Sequence, residues 1–139
     1  MRAASLVPIL TLGLALLAGP ATAAVGPLEP LPPQKLPKAG CAMFVWARSE
    51  PAGPILMVVD GKARVRLGGR PGELKRVPGL SHGPQRFEGA GLTLLLDLDA
   101  GAARPMTGGA VAPDGLLTIT DSKGGETVAP VAAVAGCRD

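Results

Sequence analysis

Apolar and polar residues alternate with a period of two along most of this chain, which is the pattern of half-buried β-strands. Between Leu92 and Asp99, leucines occupy every second position, and Leu95 is the exception on the opposite face. Cys41 to Arg48 alternates in the same way, with Met43, Val45 and Ala47 on one side. No stretch beyond the N-terminal apolar run keeps a 3.6-residue apolar period. The pattern therefore predicts strands from Cys41 onward.

A tight hairpin is predicted at Asp60-Gly61. This pair lies between the apolar run Ile55 to Val59 and the alternating segment Lys62 to Leu67. Asp-Gly suits a two-residue hairpin because both turn positions need positive φ. Asp114-Gly115 has the same composition, and we interpret it as a turn between Ala110–Ala112 and a strand from Leu116 to Thr120.

The remaining segments extend the same interpretation. Ala100 to Gly109 is expected to be a loop, and Ser122 to Gly125 a turn. Further strands are expected at Glu73–Val77, Gln85–Glu88 and Thr127–Val134, the last running on to Cys137. Seven or eight short strands without a convincing helix predict an all-β fold, a small antiparallel barrel or sandwich.

The first residues have the features of an export signal. Arg2 precedes an apolar run from Leu6 to Ala18, and the small residues Ala21 to Ala24 offer a cleavage site. The run is shorter than the roughly 20 residues that a membrane-spanning helix needs. We therefore expect residues 1–23 to be a cleaved signal peptide and the protein to be periplasmic or secreted. A lipidated Cys41 is disfavoured, because Lys38 and a proline-rich stretch separate it from the apolar run.

Two regions are expected after the signal. Residues 24–40 are rich in proline, which lacks a backbone donor and fixes φ, so this segment should be extended. It is interpreted as a stiff spacer, or alternatively as a partner ligand of the Pro-x-x-Pro type at Pro30 to Pro33. Residues 41–139 are predicted to form a single β domain.

The chain has two cysteines, Cys41 and Cys137, one near each end of the predicted β domain. In an oxidising compartment they are expected to form a disulfide. A redox pair or a metal site finds no support, since there is no Cys-x-x-Cys and a single histidine. The first strand and the last segment should then lie side by side, with the disulfide joining the ends of the sheet.

Charge adds one candidate surface. The net charge of +3 is too small to indicate nucleic-acid binding. Basic residues are nevertheless concentrated in one region, and Lys62, Arg64 and Arg66 should project from one face of a strand, with Arg70 close by. We predict a contact surface for an anionic partner. The alternative is a solvated strand face that is charged to prevent edge aggregation.

Other candidate chemistry is weaker. Asp97 and Asp99 should project from one strand face about 7 Å apart, as in a glycosidase pair or part of a calcium site. Ser81 and His82 are adjacent in a Gly/Pro loop, without the elbow that a serine nucleophile needs. Phe44 and Trp46 are either a carbohydrate-stacking pair or core residues. We expect no enzyme activity, no cofactor and no metal.

Two resemblances bear on this interpretation. The segments from Cys41 to Trp46, from Leu56 to Gly61 and from Gly108 to Cys137 resemble small exported proteins of Gram-negative, alphaproteobacterial-type bacteria, and this resemblance implies no particular activity. Gly89 to Leu94 and the terminal Gly136-Cys137 are similar to the periplasmic C-type lysozyme inhibitor family, which implies a small disulfide-closed β-barrel. That family's tyrosine- and serine-bearing inhibitory loop has no counterpart, so no inhibitory residues are assigned.

The functional prediction is a non-enzymatic binding module that contacts an envelope component or a protein through Lys62, Arg64, Arg66 and Arg70. An inhibitor of a cell-wall hydrolase is the alternative, and a hydrolase that uses Asp97 and Asp99 is the third possibility. The identity of the partner and the oligomeric state are left open by the sequence.

Overall fold

The computed structural model describes residues 24–49, 53–79 and 83–139, which form nine β-strands and one short 3-10 turn, Ala100–Ala102. The strands are β1 (Gly40–Ala47), β2 (Leu56–Val59), β3 (Lys62–Leu67), β4 (Arg70–Arg76), β5 (Gln85–Gly89), β6 (Leu92–Leu98), β7 (Arg104–Met106), β8 (Gly109–Asp121) and β9 (Glu126–Arg138). Within these ranges, no helix has the length and apolar character to cross a membrane.

Eight of the strands close an antiparallel barrel. Strands β1 to β6 pair in sequence order, β6 pairs with β8, β8 pairs with β9, and β9 returns to β1. Strand β7 lies outside this ring and pairs with the first part of β8. The predicted all-β fold is confirmed, as is the disulfide, since Cys41 and Cys137 are direct register partners with Cα atoms 4.0 Å apart.

Period-two alternation places the apolar side chains inside the barrel, as the sequence predicts. Leu92, Leu94 and Leu96 on β6 are buried, whereas Leu95 faces solvent. Phe87 is the largest fully buried side chain, and the core around it is made of aliphatic residues. Charged residues on β3 alternate with buried Ala63 and Val65, so this strand has a clear inner and outer face.

One end of the barrel is closed by residues ahead of the first strand. Val25 and Leu28 exchange backbone hydrogen bonds of 2.8 and 3.0 Å in a tight turn, and both side chains belong to the barrel core. Leu28 is 0% exposed. The folded unit therefore includes residues that the sequence assigns to the proline-rich segment in front of the domain.

The two Asp-Gly pairs have different structures. Asp60 and Gly61 both have positive φ, 51° and 71°, and form the predicted β2–β3 hairpin turn. The prediction of a turn at Asp114-Gly115 is wrong, because β8 continues through both residues with a bulge between Ala112 and Gly115. A methyl group on Gly115 would lie 2.8 Å from the Asp97 carbonyl oxygen, so glycine is needed here for the close approach of β6.

The predicted loop from Ala100 to Gly109 is also partly structured. It contains the 3-10 turn and strand β7, which pairs with β8 through Pro105 and Ala110. Proline is tolerated there because β7 is an edge strand. The predicted signal peptide (residues 1–23) and the Ser81-His82 pair lie outside the described residues.

Candidate functional site

The proline-rich segment crosses the outside of the barrel as a strap, which we define as residues 29–39. At its start, the backbone N–H of Glu29 donates to the carbonyl oxygen of Arg66 on β3 at 3.0 Å. The N–H of Leu31 then donates to the carbonyl oxygen of Pro54 at 2.8 Å. Farther along, Leu36 and Pro37 lie beside Phe44 on β1. The strap thus runs diagonally from β3 to β1.

The burial of Met57, which is on the outer face of β2, indicates which part of the sheet the strap covers. Met57 lies opposite Phe44 on β1 and opposite Arg64 on β3, and both of these side chains belong to the outer face. An outer-face methionine would ordinarily contact solvent, yet Met57 is 0% exposed. Because strap residues lie beside Phe44 on one side and Arg64 on the other, we infer that the strap covers Met57. It leaves one surface groove on each side.

Three of the four predicted basic residues share the outer face of the β3–β4 hairpin. Lys62, Arg64 and Arg66 are at alternate positions of β3, opposite Lys75, Glu73 and Pro71 of β4 respectively. Arg70 begins β4 at the hairpin turn, opposite Leu67. The structure thus brings the first three side chains onto one strand face, with Arg70 at its end.

Acidic neighbours neutralise part of this face. Lys62 Nζ lies 4.0 Å from Glu73 Oε1, and Arg66 Nε lies 3.8 Å from Glu29 Oε2. Glu29 is held in place because its Oε1 accepts a hydrogen bond of 2.9 Å from the backbone N–H of Gly69. Among the described residues, Arg64 and Arg70 form no ion pair. Arg64 is therefore the cation on β3 that is most available to an external anion.

A groove of about 570 Å³ lies between the strap and the β3–β4 hairpin, and we call it the basic groove. Its volume falls within the roughly 300–1,000 Å³ of typical ligand pockets. Arg64 and Arg66 supply its positive charge, Glu73 supplies a carboxylate, and Gln34 of the strap adds an amide. Leu31, Pro32 and Pro71 provide apolar walls. The groove therefore combines charge with a defined shape, which a flat strand face lacks.

The two aspartates of the hydrolase hypothesis lie on the far side of the barrel. Asp97 is on the outer face of β6 opposite Leu116, and Asp99 follows the end of the strand. Asp99 Oδ1 accepts a hydrogen bond of 2.9 Å from the Gly101 N–H, so this carboxylate caps the 3-10 turn. Both line a surface depression together with Asp114, whose carboxylate is ion-paired with Arg48.

Asp99 thus has a structural role in this depression, because it caps the 3-10 turn, and the charge of Asp114 is neutralised by Arg48. Within residues 24–49, 53–79 and 83–139, no three acidic, histidine or cysteine side chains are grouped so as to hold a metal ion.

Phe44 and Trp46 lie on the outer face of β1. Their ring centroids are 6.0 Å apart with the planes tilted by 40°. Both side chains are half-buried, and neither belongs to the barrel core. The core interpretation of these aromatics is therefore wrong, and Phe44 lines the second groove beside the strap.

Sequence reasoning missed the contribution of the strap to the site. Glu29, Leu31 and Gln34 were expected to belong to a spacer, yet they contact or line the basic groove. Apolar residues interspersed among the prolines, such as Leu28 and Leu31, are the signal that this segment packs against something.

Comparison with known family models, curated proteins and solved structures finds no match for this chain.

Proposed function

We propose that this chain is an exported, non-enzymatic binding module whose basic groove holds an anionic group on an envelope component or a protein. The availability of Arg64 carries the proposal. It lines the groove, its cross-strand neighbour Glu73 forms an ion pair with Lys62, and no ion pair to Arg64 occurs among the described residues. A ligand carboxylate or phosphate would supply the missing partner, and the planar guanidinium suits either group.

The arrangement of the groove supports a bound ligand over a purely solvated face. A solvated charged strand needs no wall, whereas here Leu31, Pro32 and Gln34 of the strap stand beside Arg64 and Arg66. Partial enclosure lowers the local dielectric and strengthens an ion pair relative to one in bulk water. The groove would then select for shape as well as for charge.

Export places this module in the periplasm or outside the cell. The N-terminal apolar run with its small-residue cleavage site supports this location, and the Cys41–Cys137 disulfide is compatible with it. Anionic groups are available there on lipids, acidic glycans and the surfaces of other proteins.

A charge-reversal pair tests the groove directly. The probe is a fluorescent hexaglutamate peptide, and binding is followed by anisotropy at low and at physiological ionic strength. We expect R64E/R66E to weaken binding by at least about tenfold, which corresponds to roughly 1.4 kcal/mol. Wild-type binding should also weaken with added salt, because the ions screen exposed charges over about 10 Å at 0.1 M.

The matched control is R104E/K123E, which makes the same change in net charge on β7 and in the β8–β9 turn, outside the groove. It should change affinity by less than about threefold. Equal losses in both double variants would mean that only net charge matters, and no loss in R64E/R66E would remove the groove from the function. A crosslinker placed at Gln34 then identifies the natural partner in envelope extracts.

Inhibition of a cell-wall hydrolase is a second candidate. One observation favours it: the chain is a small barrel closed by a disulfide, as the resemblance to the C-type lysozyme inhibitors implies. In a turbidity assay, an inhibitor would slow the lysis of bacterial cells by lysozyme at a stoichiometric ratio. Undiminished lysis at excess protein would eliminate this candidate.

A further inference from the structure

A second groove, on the opposite side of the strap, is apolar. Its volume is about 290 Å³, and it lies between the strap and the outer faces of β1 and β9 near the disulfide. We call it the apolar groove. Its walls are formed by Leu36 and Pro37 of the strap, Ala42 and Phe44 of β1, and Val134 of β9. Leu36 remains 51% exposed although it is a large aliphatic side chain.

The floor of the groove continues into an uncharged strip along β9. From Thr127 to Gly136 this strand contains no charged residue. Two of its outward positions, Ala132 and Val134, lie opposite Trp46 and Phe44 of β1. The outward positions are Val128, Pro130, Ala132, Val134 and Gly136. A continuous apolar strip of this kind on the outside of a small barrel is typical of a binding surface.

Arg138 is the cationic residue that lines the groove, and two further cations neighbour its lining residues in the sequence. Lys38 lies between the lining residues Pro37 and Gly40, and Lys35 precedes Leu36. All three cations are exposed, and none forms an ion pair with the residues that the structure describes. The acidic residue beside them is Asp139, next to Arg138. An apolar groove with an arginine at its edge is complementary to a molecule that has one apolar chain and one negative head group.

We propose that the apolar groove binds a single-chain anionic amphiphile of the fatty-acid class. The chain lies against Phe44 and Val134, and the carboxylate faces Arg138. The volume favours one chain, since about 290 Å³ is at the lower limit of the roughly 300–1,000 Å³ of ligand pockets. This proposal is independent of the basic groove, because the two grooves share no residue.

The first test uses the wild-type protein and head groups of opposite charge. Trp46 is the only tryptophan of the chain, and its ring lies 6.0 Å from that of the groove residue Phe44. Dodecanoate, kept below its micellar concentration, should shift the Trp46 emission and saturate. Dodecyltrimethylammonium has the same chain with a positive head group and should bind at least about tenfold more weakly. Equal affinities would overturn the assigned head-group charge.

Chain length provides a second measurement on the same protein. Each buried methylene should tighten binding by roughly threefold to fourfold, so octanoate should bind far more weakly than dodecanoate. An affinity that does not depend on chain length would contradict an apolar chain site.

A groove-filling variant tests the location. Gly136 faces the groove, and a side chain there would first meet the Gly108 carbonyl oxygen at 3.5 Å, which is ordinary van der Waals contact. Gly136→Leu should therefore fill the groove and remove dodecanoate binding. Gly79→Leu adds the same bulk in the loop between β4 and β5, where the nearest atom to a new Cβ is the Val77 carbonyl oxygen at 4.0 Å, and should bind as the wild type does.

The arginine at the edge of the groove is tested by a matched charge reversal. Arg138→Glu should weaken dodecanoate binding by about tenfold, whereas Lys123→Glu, which makes the same change in the β8–β9 turn, should leave it unchanged. The disulfide in each variant is checked by mass spectrometry. Equal weakening in both variants would show a general charge effect, and undiminished binding by Gly136→Leu would overturn the proposed location.

Two other occupants of the apolar groove, a membrane surface and a second copy of the chain, would give different results. Either result would refute the proposal. Binding to anionic phospholipid vesicles without binding of monomeric dodecanoate would assign the strip to a membrane surface. Dimerisation that buries Trp46 in the absence of ligand, and that Gly136→Leu abolishes, would assign it to a second copy of this chain.

Discussion

Gly109 on β8 lies directly opposite Gly136 on β9, and the two positions differ sharply in the space beside them. A methyl group on Gly109 would overlap the carbonyl oxygen of Ala135 and lie 2.9 Å from the Cα atom of Gly136. At Gly136 the nearest atom is 3.5 Å away. Neither glycine is at positive φ, so the difference arises from strand packing alone.

This relationship predicts opposite results for the same substitution. Gly109→Ala should lower the free energy of unfolding by roughly 1–3 kcal/mol or more, because backbone atoms must move to make room. Gly136→Ala should change it by less than about 0.5 kcal/mol. Urea unfolding followed by circular dichroism measures both, and similar values for the two variants would contradict the close approach at Gly109.

The disulfide should contribute a large part of the stability. Cys41 and Cys137 are separated by 96 positions, so the bond closes a long loop in the unfolded chain. On the chain-entropy model, C41S/C137S should lower the free energy of unfolding by roughly 4–5 kcal/mol. Urea unfolding of the variant should match that of the reduced wild type. A difference between these two would indicate that the serines themselves disturb the β1–β9 pairing.

Leu28 should behave as a core residue although it precedes the first strand. Leu28→Ala removes a fully buried side chain from the end of the barrel and should cost about 2–5 kcal/mol of stability. The control is Leu36→Ala in the strap, at a side chain that is half exposed, and it should cost less than about 1 kcal/mol. Thermal unfolding of both variants measures these differences. Equally small losses of stability in both would mean that residues 25–28 do not close the end of the barrel.

Local opening should begin between β4 and β5. These strands pair at two positions, Lys75–Glu88 and Arg76–Phe87. One further backbone hydrogen bond runs from the Val77 N–H to the Arg86 carbonyl oxygen. By contrast, β8 and β9 pair along most of their length. Hydrogen exchange should show protection at least about tenfold lower across β4–β5 than across β8–β9. Uniform protection around the barrel would contradict this order of opening.

The strand pattern could be predicted from the sequence because side-chain alternation is a local property. The leucines of β6 and the charged–apolar alternation of β3 each specify an inner and an outer face without reference to other strands. The pairing of Cys41 with Cys137 could also be anticipated, since two cysteines leave one intramolecular partner for each.

The two Asp-Gly pairs show where local reasoning fails. Asp60-Gly61 turns the chain because the strands on either side are neighbours in the sheet. The residues around Asp114-Gly115 instead pair with other strands, Gly115 with Leu98 of β6 and with Val131 of β9. The same dipeptide therefore accommodates a bulge in a continuous strand, and only the tertiary partners distinguish the two cases.

The candidate site was anticipated in part for the same reason. The alternation on β3 identifies its three cations, but their neutralisation by Glu29 and Glu73 depends on contacts that cross the strap and the hairpin. Likewise, proline content predicts an extended local geometry for the strap, but it contains no information about the barrel face that the strap covers.

Strand β1 pairs on one side with β9, the last strand of the chain. The barrel therefore cannot close until the whole chain is present. The first strand has no second neighbour until the last strand exists, and the ring stays open in any shorter piece of the chain. Contacts between such distant segments slow folding, because the intervening chain must be ordered before they form. The protein should therefore fold only after the whole polypeptide is present. No stable intermediate should form strand by strand from the N-terminus.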